Sequence, residues 1–528
     1  MGWASRNRDL IIPLVTKLVR DGQQVIVFRS TRGAARACAR YLSQALGLPP
    51  AKTTLEVLAS ADPSVVLSDL RQCLNGGVAF HISDLARDEK AALEEQYRAP
   101  DSEIRVLVST TTLAQGVNLP AETVIIVELD HPGAGDSTTA YTVAEYKNIA
   151  GRAGRLGLTA SGRSILIVGG GVDSQRRWNR YVTGVPEDLH SQLLDVQQDL
   201  LTLVLRIVAV ATRREGADQL TQEDVLAFLA NSFAAHQRRL TSAEDPFPPA
   251  KVSGALADLV SAGLLADGAS RLALTELGTY VAQSGLRVSS AVRVARALRM
   301  LHPAQLNRVT LIAAAQLTDE MGDIRVRVNG RGWQRELQTF LHELRRHGIA
   351  EPMLAALPAA NDRTVAAARA KRAAACMLWM GGVAIGQIES LLMQHLPGSD
   401  AAGSARAAAD RTQSLIGAII EIARCLHPTA DLDQLAQLLP VQLDIGIPAD
   451  LVPLALHADG RLDRPDYMRL HRKALTDPAG ILAASDDILL ECLGGNTSRL
   501  RHLRHAAQAA LDDATPVAFS TVLPAATD

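Results

Sequence analysis

Over the first third of the chain, short continuous apolar runs alternate with stretches whose apolar side chains recur at helical spacing. The run "QQVIVF" is rich in β-branched residues and ends at the polar turn "RSTRG"; the helix-period stretch "AARACARYLSQAL" follows. "GVAFH" precedes the charged helix "RDEKAALEEQYR", and "IRVLVST", "TVIIVEL" and "RSILIV" complete the set. Strands apolar on both faces need cover on both sides, and helices between them supply it. The order therefore predicts a parallel α/β sheet in residues 1–175.

"VGGGVD" marks a boundary near residue 170, beyond which the pattern turns helical. "HSQLLDVQQDLLTLVLRIVAVA" reads as one long amphipathic helix, and "TQEDVLAFLANSF" opens on a threonine cap with an acidic first turn. "VSGALADLVSAGLL" and "RLALTELGTYVA" give helix, short extended segment, helix, the order of a winged helix. The expected divisions are 1–175 for the α/β domain, 176–285 for a linker helix and winged helix, 286–428 for a helical domain, and 429–528 for a small helical module. That module ends in a tail, "STVLPAATD", expected to be disordered.

Charge narrows the reading. Lys plus Arg number 54 against 56 Asp plus Glu, for a formal net charge of −2, so a nucleic-acid site has to be a local basic groove. Aromatics make up only 3% of the chain, which leaves few groups to stack on bases. Cys38, Cys73, Cys376, Cys425 and Cys492 are far apart, with no CxxC or Cys/His cluster, so neither a disulfide framework nor a metal site is expected. A reducing, cytoplasmic location is the default expectation, with no membrane span, since no run reaches ~18 apolar residues.

Three segments carry the chemistry: "VIVFRSTRGAARACARYL", "VLVSTTTLAQGVNLPAETVII" and "EYKNIAGRAGRLG". Thr110 and Thr111 stand where a strand ends, so their hydroxyls can hold a sugar–phosphate backbone. Gly116 permits close approach, and Asn118 can hydrogen-bond a ribose or a neighbouring loop. Arg152 and Arg155, each directly after a glycine, suit a triphosphate at an adjoining surface. A helix-entry turn with solvated arginines is the plain alternative. Taken together, each catalytic loop is expected to follow a parallel strand, where open α/β sheets place their ligands.

These segments resemble motifs IV, V and VI of superfamily 2 helicases, in the branch of the archaeal DNA-repair and superskiller-type helicases. "GVAFHISDLARDEKAALEEQYR" resembles that branch's histidine-containing segment, with His81 at the first histidine. "EYKNIAGRAGR" resembles motif VI, with Asn148 where a glutamine is usual. The resemblance implies a RecA-like second domain followed by a winged helix, a helical ratchet and a helix-loop-helix module. It implies nucleic-acid contacts at Arg29, Ser30, Thr31, His81, Thr110 and Thr111. It implies ATP contacts at Gly116, Asn118, Asn148, Gly151 and Gly154, and catalytic arginines at Arg152 and Arg155. In the ratchet, "GSARAAADRTQSLIGAII" offers Arg406 to the strand, with Gln413 where a stacking aromatic is usual. Trp379 in "MLWMGG" reads as core. "ELDHPGAGDSTTAYTVAEY" is either the family's strand-splitting hairpin or a flexible loop. The run Arg325, Arg327, Arg331, Arg335, Arg345 and Arg346 is either a solvated helix face or a backbone-tracking groove.

The lysines are 17, 52, 90, 147, 251, 371 and 473, and none follows a glycine, so these residues contain no GxxxxGK[ST] loop. The pairs Asp88–Glu89 and Asp319–Glu320 fall in helical contexts, not at the ends of buried strands. The reading is therefore the back half of a helicase. ATP and Mg2+ would be used only with a partner domain supplying the phosphate loop. Its partners would be single-stranded or partly duplex nucleic acid and a separate ATPase chain with Walker A and DExH motifs. The alternatives are a non-catalytic nucleic-acid-binding or scaffold protein, or a truncated helicase product.

Overall fold

The computed structural model describes residues 3–111, 119, 121–132, 137–154, 161–194, 199–213, 220–241, 247–267, 271–360, 362–394, 396 and 401–514. By internal packing the chain forms two compact units, Met1–Val288 with Glu389–Arg406, and Ser289–Ile388 with Ala407–Asp528.

The first unit is built on the expected parallel sheet. Its strands are β1 (Val25–Arg29), β2 (Val78–His81), β3 (Val106–Thr110), β4 (Thr123–Ile126) and, after a small hairpin, β7 (Arg163–Leu166). They lie in the order β2-β3-β1-β4-β7, with every neighbouring pair parallel. Val25 sits opposite both Val106 and Thr123, and Phe28 opposite both Ser109 and Ile126, so β1 is the central strand. Val25–Phe28, Val78–Phe80 and Val106–Val108 are buried on both faces, which is why they read as unbroken apolar runs. The helices Arg32–Leu46, Val65–Leu74 and Arg87–Arg98 cover them through Cys38, Leu42, Leu67, Leu70, Leu93 and Tyr97. The first of these helices starts on Thr31, whose hydroxyl accepts from the Ala34 N–H at 3.1 Å, and ends at Gly47 with φ 60°.

The segment before the glycine-spaced arginines is a two-stranded antiparallel hairpin, β5 (Asp130–Pro132) with β6 (Thr138–Ala140); its tip, 133–136, lies outside the described residues. The stretch from His190 departs from the single long helix expected of it: a short 3-10 turn covers Gln192–Leu194, and the α-helix is Leu200–Ala211. Asp199 starts it, accepting from the Thr202 N–H at 3.1 Å and the Thr202 hydroxyl at 2.6 Å. An aspartate inside an apolar periodicity acts here as a cap. Helices Gln222–Ala230, Phe233–Thr241 and Pro249–Ser261 follow, then an antiparallel bridge between Leu265 and Leu274, then helix Glu276–Gln283.

The stretch Glu389–Arg406 belongs to this unit although it is remote in sequence. Glu389, 4% exposed, accepts from the Val65 N–H at 3.1 Å and from the Ala401 and Ala402 N–H groups at 3.0 and 3.3 Å. Val65 and Ala402 each open a helix, so one carboxylate answers the exposed amides of two helix N-termini. Gly403 lies against Asp84 so closely that a Cβ would come within 2.3 Å of its carboxylate oxygen.

The second unit is all helical among the described residues. Its central helix, Arg363–Met380, buries Lys371, whose ammonium donates to the Glu336 carboxylate at 3.1 Å and the Arg327 carbonyl at 2.8 Å. Trp379 is core, as expected: its indole N–H donates to the Leu443 carbonyl at 2.9 Å, and the Arg464 guanidinium lies 4.1 Å over its ring. Gly446, at φ 78°, takes the space beside that ring. A second apolar cluster, including Leu451, Leu454, Tyr467, Leu489 and Leu503, closes the C-terminal helices. In the arginine run, Arg345 pairs with Glu351 and Arg346 with Glu343, each at 3.1 Å, which favours a solvated face for these two. Among the described residues no single helix is long and apolar enough to cross a membrane.

Candidate functional site

The candidate residues fall on two opposite edges of the sheet. Arg29, His81 and Thr110 end β1, β2 and β3, so this group lies at the carboxyl ends of the strands. The glycine-spaced turn does not. It follows helix Val143–Ala150, and its backbone is stitched to the residue just before β4: the Ala121 N–H donates to the Arg152 carbonyl at 3.3 Å, and the Gly154 N–H to the Ala121 carbonyl at 2.9 Å. Arg152 is thus at the amino end of the sheet, about 13–17 Å away for a strand of this length. This corrects the expectation that every catalytic loop follows a strand. The physical reason is topological. A helix returning from the carboxyl ends delivers its C-terminus to the amino ends.

The turn is held tightly. Gly154 has φ 65°, and a Cβ there would meet the Gly162 backbone at 2.5 Å; one on Gly162 would meet Ala153 at 2.3 Å. Arg152 is 9% exposed, and its backbone N–H donates to the Ile149 carbonyl at 3.1 Å. Gly151 caps the helix in a right-handed conformation, φ −65°, and Asn148 is exposed on its last turn. Arg155, Gly116 and Asn118 lie outside the described residues.

The helix carrying this turn is anchored at its start from two directions. Thr142 and Glu145 form a reciprocal cap, with the Thr142 N–H donating to Glu145 at 2.7 Å. The same carboxylate group meets His131 of the hairpin at 2.9 Å, and the His131 ring tilts against Tyr141 at 4.4 Å. From the following connection, Glu187 accepts from the Val143 and Ala144 N–H groups at 2.6 and 3.2 Å. Hairpin, helix and connection are therefore tied into one piece.

At the carboxyl edge, several candidates are already engaged. The Arg29 guanidinium donates to Glu128 through Nε and Nη2 at 2.9 and 2.7 Å, and the Ser30 N–H reaches the same carboxylate at 3.1 Å. Burial alone would lower the Arg29 pKa; the hydrogen bond and charge of Glu128 outweigh it and push the value up. Arg29 thus serves to fix the Ser30–Thr31 turn. Thr110 is buried and Thr111 half-buried at the end of β3, and the Ser109 hydroxyl donates to the His81 carbonyl at 2.8 Å. Arg406 sits on this edge too, 11% exposed, donating to the Asp84 carbonyl at 3.3 Å and lying 3.6 Å from Glu89. Asp84 in turn pairs with Arg32. Arg406 is engaged here with the α/β domain's own residues.

Sequence reading missed the carboxylates that organise this edge: Glu128, Glu94, Glu89 and Asp84. Glu128 carried a signal, since it closely follows the apolar run of β4 and so had to stand at the strand's end.

His81 is 5% exposed, its Nε2 lies 2.9 Å from Glu94, and its Nδ1 has no hydrogen-bond partner. Burial pushes the imidazole pKa below its ordinary value, against the raising effect of Glu94. With a depressed folded pKa, the unfolded chain binds the extra proton first as pH falls below about 6.5. The contribution to stability is complete above that pH and is lost on acidification. His81→Gln is therefore expected to flatten the fall in stability between about pH 7 and pH 5 in urea melts; an unchanged slope would assign the acid sensitivity elsewhere.

Residues 8–157 match the helicase conserved C-terminal domain family. The chain is 28% identical over 476 residues to the ATP-dependent DNA helicase Hel308 of Caldivirga maquilingensis, covering 86% of this chain and 60% of that protein. It is 30% identical to the Hel308 of Pyrobaculum calidifontis, over 56% of this chain and 41% of that one. To the Hel308 of Thermoplasma acidophilum it is 35% identical over 36% and 27%. Residues 8–157 carry a helicase conserved C-terminal domain, and the chain is similar over most of its length to part of the Hel308 helicases. Its fold agrees: a RecA-like parallel sheet followed by helical domains. The turn Gly151–Gly154 lies within the matched stretch. The chain spans only part of the relatives it matches.

Proposed function

We propose that the chain works as the C-terminal portion of an ATP-dependent nucleic-acid helicase, supplying arginines and single-strand contacts to an ATPase domain on a separate chain. The observation that carries the reading is the stitching of Ala121 to Arg152 and Gly154, which ties motif V to motif VI in a helicase C-terminal domain. The relatives' names supply the rest: ATP as the fuel and DNA as the polymer.

In this reading Arg152 and Arg155 face the nucleotide from the amino edge, and their permanently charged, planar guanidinium groups neutralise charge developing on the transferring phosphoryl group. Asn148, Gly151 and Gly154 shape the surface beside them. The nucleotide's phosphates and Mg2+ would rest on the other domain's phosphate loop and acidic motif. Ser30, Thr31, Thr110 and Thr111 face the strand from the carboxyl edge. Residues 176–285 act as a winged helix, 286–428 as the ratchet and 429–528 as the helix-loop-helix module.

A second reading, a non-catalytic nucleic-acid-binding protein, is favoured by one observation: Arg29 and Arg406 are both engaged internally and Arg152 is nearly buried. Phosphate release separates the questions. The purified chain alone, with or without single-stranded DNA, is expected to hydrolyse ATP at background. Robust turnover by the chain alone would remove the claim that the cradle of the site lies elsewhere.

A further inference from the structure

The end of helix Leu200–Ala211, the extended residues 271–274 and the helix Glu276–Gln283 line an open pocket of about 410 Å³. Arg213 stands just past the end of the first helix, Arg271 on the extended stretch, and Gln283 at the end of the last helix. Among the described residues, none that lines the pocket is a carboxylate. Among the described residues, neither guanidinium makes an ion pair, and the Gln283 amide makes no side-chain hydrogen bond.

The other lining hydroxyls are spent: Thr212 donates to the Val208 carbonyl at 2.9 Å and Thr279 to the Thr275 carbonyl at 3.0 Å. The available donors among the described lining residues are thus two guanidinium groups and one amide, arranged around a concave wall. Donors without acceptors, two of them permanently charged, suit an oxyanion with several acceptor oxygens. A carboxylate offers two such oxygens; a phosphate group offers more and matches the guanidinium fork at each.

The usual alternative for such a fold, the helix after the second turn, is poorly equipped. Helix Pro249–Ser261 carries only Lys251 and Asp258 as charged residues, so its own face brings no net positive charge.

We infer that Arg213, Arg271 and Gln283 form a phosphate-binding site in the segment 200–283, filled by a backbone phosphate of a nucleic-acid strand or by the phosphate of a nucleotide. The strand source rests on the nucleic-acid-binding reading above; the nucleotide source does not.

The test uses the full chain and the double variant R213E/R271E, with far-ultraviolet circular dichroism to confirm the fold, as both side chains are exposed. Two probes are titrated by fluorescence anisotropy over a salt series: a fluorescein-labelled single strand of DNA about 20 nucleotides long, enough to span one or more ~4–16-nucleotide sites, and a fluorescent ATP analogue. If the strand is the source, the variant binds it about 10-fold or more weakly, and the slope of log affinity against log salt falls by roughly 0.7 for each phosphate that the variant no longer neutralises. If a nucleotide is the source, only the analogue's affinity falls. A wild-type chain that binds the strand, with a variant that binds both probes as well as the parent, overturns this site alone. A wild-type chain that binds neither probe overturns this site and the strand-binding reading together.

Discussion

Replacing Glu389 with alanine is expected to destabilise the first unit by about 3–5 kcal/mol, one of the largest single-residue losses this chain can show. The carboxylate is buried and takes three backbone N–H groups from two segments more than 300 residues apart in sequence, Val65 on one side and Ala401 and Ala402 on the other. Each bond has an ionised acceptor, and each donor sits where a helix leaves its amides unsatisfied. Removing the side chain strands the buried Ala401 and Ala402 donors and leaves the part-buried Val65 N–H without its charged acceptor. Glu389→Gln retains one acceptor oxygen and should lose about half as much. Hydrogen exchange reads the effect locally: the Val65, Ala401 and Ala402 amides should lose protection together. Protection lost at Ala401 alone would show that the carboxylate does not bind the two segments as one body.

Arg152 is expected to give the largest effect on activity. In a motor completed with its ATPase domain, Arg152→Ala should lower the rate of ATP hydrolysis by about 10³ or more. Its burial brings a complication, since a nearly enclosed guanidinium also supports the turn. Loss of its buried side chain should cost about 1–3 kcal/mol of stability as well. Arg152→Lys separates the two effects. It keeps the positive charge but loses the planar fork, so a catalytic arginine predicts a fully folded variant whose turnover remains low. Turnover near the parental rate in Arg152→Lys, with a lowered melting temperature in Arg152→Ala, would reduce Arg152 to a strut.

The sheet was readable from the sequence because its physics is local. Strands buried on both faces, such as "VIVF" and "VLV", are continuous apolar runs, and helix Gln222–Ala230 announced itself through the Thr221 cap. What escaped was set by interactions between distant residues. No periodicity reveals that Glu389–Arg406 folds with residues 1–288, because one carboxylate and one glycine against Asp84 decide it. Asp199 broke a long amphipathic pattern by choosing a capping role that its neighbours do not dictate. In the candidate site, the residue types were visible but their edges were not. Arg152 went to the amino ends because the preceding helix ends there, and a motif read along the chain does not show direction across a sheet. For Arg29 and Arg406 the sequence shows a charge, not the Glu128 or Glu89 that meets it.

The most direct measurement of the whole account is ATP hydrolysis by a separately purified helicase domain with Walker A and DExH motifs, titrated with this chain in the presence of single-stranded DNA. Saturable stimulation by the parent chain, at least about 10²-fold and abolished when Arg152 and Arg155 are both replaced by alanine, is the expected result. Unchanged hydrolysis at saturating chain, or equal stimulation by the double variant, would contradict it.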